Sequence, residues 1–212
     1  MSAQSFGARL QQAVADFGPI VAGIDPHASL LEAWGLPDTP DGLAEFSRVS
    51  LEAVAGQVAA IKPQSAFFER HGSGGVAVLE ELLARARSAS VLTILDVKRG
   101  DIGSTMAAYA QAHLRPGAPL EADAITVSPY LGTGSLDPAV ELALESGKGL
   151  FVLALTSNPD GPQVQHARDG HDTPVALHVA RHAEDAGAGT ADRWGSVGLV
   201  VGATVADAFT RL

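Results

Sequence analysis

The chain has 212 residues, 46% of them hydrophobic and 18% charged, with a formal net charge of −10 and no cysteine. That length and balance suit a folded domain with a substantial core. The acidic excess, without any dense Lys/Arg run, argues against a nucleic-acid backbone or an anionic membrane surface as partner. The missing cysteines exclude disulfides and thiolate metal sites, and fit a reducing cytoplasm.

In chain order, Phe6, Leu10, Val14 and Phe17 recur every three to four residues, interrupted by Arg9, Gln11, Gln12 and Asp16. This predicts an amphipathic helix that ends near Gly18, not a signal peptide. No run of about 18 apolar residues follows that could span a membrane. Short apolar, β-branched runs then appear at residues 19–24, 58–61, 91–95, 122–127, 149–155 and 197–201. Helical spacing separates them over 43–58, 76–87, 102–114, 137–145 and 175–186. Strands apolar on both faces, each followed by a helix, predict a parallel sheet covered by helices. No composition shift divides the chain, so residues 1–212 read as a single α/β domain.

An open doubly wound sheet and a closed (β/α)8 TIM barrel both suit this alternation. The Gly-x-Gly-x-x-Gly fingerprint of a dinucleotide site is absent, since the first strand ends in Gly23-Ile24-Asp25-Pro26-His27. Polar residues close the other strands: Lys62, Asp96 with Lys98, Ser128, and Thr156 with Ser157. Polar groups gathered at the C-terminal ends of many strands are how a barrel builds its site. A full barrel takes eight βα units and about 250 residues. Only about six units are visible, so the chain reads as a barrel domain lacking its last two.

The sharpest segment is Asp96-Val97-Lys98-Arg99-Gly100-Asp101. Residues two apart in a strand point to one side, so Asp96 and Lys98 face one cavity. Neighbouring strands lie about 4.8 Å apart, which lets Lys62 extend a contiguous charged row. Asp101 follows beyond a glycine, where the chain turns into the next helix. Most Asp/Lys pairs are surface ion pairs worth about 0–1 kcal/mol. These instead follow strongly apolar runs at strand ends, which favours a functional reading.

The Asp-x-Lys-x-x-Asp motif resembles the signature of the orotidine monophosphate decarboxylase superfamily. Its flanks, through Ile102-Gly103-Ser104-Thr105, are similar to the bacterial branch common in actinobacteria. Four other blocks fall in that branch's order: Gly23 to His27; Ile61-Lys62-Pro63-Gln64 with Ala66 to Glu69; Val127-Ser128-Pro129-Tyr130-Leu131-Gly132; and Thr156-Ser157-Asn158-Pro159.

The resemblance implies a carboxy-lyase that converts orotidine 5'-monophosphate to UMP and carbon dioxide in pyrimidine biosynthesis, with no metal and no cofactor. It implies Lys98 as proton donor to C6, beside Asp96 against the substrate carboxylate, within a Lys62/Asp96/Lys98/Asp101 network. Lys62 and Asp25 would meet ribose hydroxyls, Ser128 the pyrimidine ring, and Pro129 the substrate. Asp101, Ile102 and Thr105 would reach into the partner's site of a homodimer.

Magnesium-dependent sugar-phosphate enzymes of the superfamily carry an acidic residue where this chain has Lys62, which favours the pyrimidine enzyme. The family's phosphate-gripping loop after the seventh strand and its arginine after the eighth have no counterpart here, and Arg211 is not nominated. A non-catalytic fragment without the phosphate site is therefore a further alternative.

Other signals are weaker. His178 and His182 have metal-ligand spacing, but a solvated helix face is the favoured reading. His27 either borders the site or caps a turn. Gly72-Ser73-Gly74-Gly75 and Gly132-Thr133-Gly134-Ser135 read as turns before helices. Phe67 and Phe68 read as core or rim, and no Gly-x-Ser-x-Gly elbow is present.

Overall fold

A computed structural model describes residues 4–187, 189 and 193–212. Its elements are α1 (Phe6–Phe17), β1 (Val21–Ile24), α2 (Ala28–Ala33), α3 (Pro40–Val54), β2 (Ala60–Pro63), α4 (Ala66–Glu69), α5 (Gly72–Ser88) and β3 (Leu92–Arg99). Then follow α6 (Gly103–Leu114), β4 (Ala124–Val127), a 3-10 turn (Thr133–Leu136), α7 (Asp137–Glu145), β5 (Gly149–Leu155), α8 (Pro162–Gln165), α9 (Val175–Gly187), β6 (Val197–Val201) and α10 (Ala208–Arg211).

All six strands are parallel and pair in sequence order, β1 to β6. A doubly wound sheet would reverse its strand order at a switch point. Here there is no reversal, and the six βα units form a curled half-barrel. The curl shows at its base. Phe6 of α1 packs in one cluster with Ala60, Ile94 and Ala124 from β2, β3 and β4, and with Phe151 of β5. A side chain at Gly149 would collide with the Phe6 ring, so only glycine lets β5 approach the plug.

Local chemistry sets the boundaries. Ser5 caps α1 by accepting from the Ala8 amide, and Gly18 ends it at φ 80°. Helix α3 starts earlier than the 43–58 pattern because Thr39 caps it, accepting from the Gly42 amide, with Pro40 in the first turn. It ends at Val54, before Gly56 at φ 72°. Residues Gly72 to Gly75 form the first turn of α5 itself instead of preceding it. The third strand runs four residues past its apolar stretch, to Arg99, because pairing with β4 resumes there beyond a bulge.

His113 of α6 is 4% exposed. Burial, followed by the positive charge of Arg99, lowers its pKa to about 4, against weaker opposing effects of Glu69 and the Leu120 backbone. The folded state therefore keeps the neutral ring, while the unfolded chain binds a proton below pH about 6.5. Between these values the unfolded state holds more protons, so stability falls as pH falls. Urea denaturation should show a loss of about 2 kcal/mol from pH 7 to pH 5. His113→Gln should flatten that slope; an equal slope in the variant would assign it elsewhere.

Candidate active site

The charged row forms at the C-terminal end of the sheet. Register Gly23↔Lys62 sets Lys62 in β2, and Gln64 bridges onto Asp96 beyond the strand end. Asp96 is 6% exposed and lies at the centre of the row. Its Oδ1 accepts from Lys98 Nζ at 2.7 Å and from the Thr126 hydroxyl at 2.7 Å. Its Oδ2 accepts from Lys62 Nζ at 3.2 Å and from Gln64 Nε2 at 3.0 Å. Burial alone would raise the Asp96 carboxyl. Hydrogen bonds from Lys98 and Thr126, with the charges of Lys62 and Lys98, outweigh it and hold the group below its ordinary value.

That arrangement has a chemical consequence. An ionised carboxylate with two donors on each oxygen leaves little room for a cation, and its lysines would repel one. Among the described residues, no group of three or more His, Asp or Glu could hold a metal ion. His178 and His182 do not converge. His178 faces Asp169 at 3.5 Å, and His182 faces Asp137 at 3.7 Å.

Lys98 also lines a cavity of about 740 Å³, together with Ser128, Pro129, Thr156, Asn158 and Gln165. Gly100 lets the loop after β3 lie against the end of β4, since a Cβ there would collide with the Ser128 carbonyl. The Ser128 amide donates to the Arg99 carbonyl at 2.8 Å across the same contact. Lysine and serine are thereby held on one wall.

The other residues singled out in the sequence lie apart. Asp25 is half-buried just past β1, and its carboxylate neighbours Gly23. Asp101 does not join the row within this chain; its Oδ1 accepts from the Ile102 amide at 2.8 Å. Ile102 is 62% exposed, and Thr105 is exposed on the first turn of α6. His27 is the N-cap residue of α2, though its side chain makes no capping hydrogen bond; its ring packs on Phe67 at 4.0 Å between centroids. Phe68 is fully buried in the core.

Three contributors were not singled out for a role from sequence. Thr126 sits in a strand otherwise wholly apolar, and a lone hydroxyl there needs a partner, which was the available signal. Gln64 lies two residues after Lys62, on the same side of the extended chain. Gln165 had no such signal: its amide accepts from the Thr156 backbone and donates to the Thr156 hydroxyl across a loop.

With this geometry in place, likeness to known proteins is informative. The profile of the orotidine 5'-phosphate decarboxylase / HUMPS family matches residues 20–212. The orotidine 5'-phosphate decarboxylase of Streptomyces coelicolor is 59% identical over 206 residues, covering 96% of this chain and 73% of that protein. That of Salinispora tropica is 57% identical over 202 residues, 95% of this chain and 72% of that protein. The solved structure of the Streptomyces avermitilis orotidine 5'-phosphate decarboxylase superposes with a TM-score of 0.96 at 60% identity, covering 99% of this chain and 73% of that one. On fold, site and sequence together, the chain belongs to the orotidine 5'-phosphate decarboxylase / HUMPS family.

Proposed function

We propose that this chain is an orotidine 5'-monophosphate decarboxylase that acts through Lys98 without metal or cofactor. The observation that carries the reading is the Asp96 carboxylate clamped by Lys98 and Lys62, with Lys98 itself lining the adjoining cavity. Loss of carbon dioxide breaks the C6–carboxylate bond and leaves its electron pair on C6, where no adjacent π system accepts it. An ammonium already fixed beside that carbon stabilises the developing charge. The Lys98 ammonium then gives C6 its proton, and the amine recovers one from water. Asp96 holds that ammonium and, being ionised, faces the departing carboxylate with like charge. Enzymes lower barriers by roughly 8–23 kcal/mol, and this reaction draws on the upper part of that range. One lysine supplies only part of it.

Lys62 and Asp25 are assigned to the ribose hydroxyls, Ser128 to the pyrimidine, and Pro129 to the substrate. We read the active form as a homodimer in which Asp101, Ile102 and Thr105 serve the partner's site. The support is local: Asp101 pairs with no cation among the described residues, and the adjacent Ile102 is 62% exposed. Residues 1–212 are taken as one barrel domain holding six of the family's eight βα units. A cytoplasmic place fits the absence of cysteine, and no helix among the described residues is long and apolar enough to cross a membrane.

The test is turnover of orotidine 5'-monophosphate, followed by carbon dioxide release, with and without EDTA. Equal rates in both are expected. Silence from this chain and from the complete product of its gene, beside magnesium-dependent turnover of a sugar phosphate, would overturn the assignment.

A further inference from the structure

The bulge in β3 has an unusual partner. Register with β4 runs Ile94↔Ala124 and Leu95↔Ile125, then resumes at Arg99↔Val127. Three residues, Asp96, Val97 and Lys98, therefore stand opposite one, Thr126. Lys98 adopts φ 45°, a left-handed conformation that side chains other than glycine rarely take. Its amide bonds to the Thr126 hydroxyl oxygen at 2.9 Å. The hydrogen of that hydroxyl goes to Asp96 Oδ1 at 2.7 Å, the oxygen that Lys98 Nζ also contacts at 2.7 Å. One hydroxyl thus ties the backbone of the lysine to the carboxylate that holds its ammonium. Thr126 is 3% exposed and is not among the residues lining the cavity, so it can act only through these neighbours.

We propose that Thr126 is a positioning residue, its single hydroxyl setting the left-handed bulge at Lys98 and the rotamer of Asp96 together. This rests on the decarboxylase reading for its effect on turnover, but not for its effect on the carboxylate. Thr126→Val keeps shape and strand propensity while leaving the Lys98 amide without its acceptor and Asp96 Oδ1 one donor short. Thr126→Ser keeps the hydroxyl.

Hydrogen bonds to charged groups are strong enough that the valine variant should lose roughly 10- to 100-fold in kcat, with KM changed less than about threefold. The serine variant should stay within about threefold of the parent. Independently of turnover, carboxyl carbon NMR should show Asp96 titrating at higher pH in Thr126→Val than in the parent, and as the parent in Thr126→Ser. If the valine variant does not fold by circular dichroism, Thr126→Cys, of similar volume and weaker donor strength, is read in its place by the same two measurements. A parent that turns over no substrate removes the kcat comparison and still leaves the titration to decide this proposal. An Asp96 titration unmoved by loss of the hydroxyl would overturn it, as would equal loss of kcat in the serine and valine variants.

Discussion

Lys98→Ala should lower kcat for orotidine 5'-monophosphate by roughly ten-thousand-fold or more, because it removes a proton donor and a charge stabiliser together. The side chain is 45% exposed on the cavity wall and contributes little to the core, so the fold should persist. Asp96 would still accept from Lys62, Gln64 and Thr126, which limits the damage to the carboxylate itself. The loss should fall on kcat more than on KM, since the interaction matters most where negative charge develops at C6. Lys98→Arg should not restore the rate: a guanidinium keeps its proton and its fork does not fit a point contact. Single-turnover decarboxylation with circular dichroism on each variant measures both parts. Residual kcat within tenfold of the parent would remove Lys98 from the role of proton donor.

Lys148→Met should cost about 3–5 kcal/mol of stability, as removal of one partner from a buried ion pair does. Lys148 Nζ lies 2.7 Å from Glu121 Oε1 and 3.7 Å from Asp123 Oδ1, and the Lys148 and Glu121 side chains are each 10% exposed. Arg9 of α1 adds a 2.6 Å contact to Asp123 and donates to the Gly147 carbonyl at 2.9 Å. The network therefore pins the N-terminal helix against the starts of β4 and β5. Without the lysine, Glu121 keeps only Arg87 as a cation among the described residues, at 3.6 Å. Burial pushes both carboxyls up, yet the facing lysine and arginine hold them below their ordinary values. Their stabilisation is thus present above the unfolded carboxylate pKa and is lost as pH falls through the lower folded values. Urea denaturation at neutral pH reads the loss. Removing Glu121 as well, in Lys148→Met with Glu121→Leu, should recover part of it, because no buried charge is then left alone. A cost below about 1 kcal/mol for the single change would show that water reaches the network.

Much of this fold is legible in the sequence. The apolar runs at 149–155 and 197–201 and the helix at 137–145 coincide with β5, β6 and α7, because hydrophobic period and β-branched content are local properties. Asp96 and Lys98 do meet, as their spacing suggested, but across a bulge with Lys98 at φ 45° and not by regular strand alternation, so the reason was not local. Boundaries that depend on a neighbour were less legible. The length of β3 depends on where β4 resumes pairing, and nothing within 91–99 encodes that. The role of His27 depended on Phe67, forty residues later.

The alternation of strand and helix and the order of charged residues at strand ends were determined by the sequence alone, since each follows from local periodicity and side-chain type. Whether those strands reverse or curl was decided only by tertiary structure, because both arrangements bury the same apolar faces. Phe6 carries the same lesson: its helical spacing marked an apolar face, but only the curl of β2 to β5 made it a plug. Thr126 lay unremarked in an apolar strand until the bulge set its hydroxyl between Asp96 and Lys98. A buried polar group acquires meaning from its partners, and partners thirty residues away in the chain meet only when the sheet closes over them.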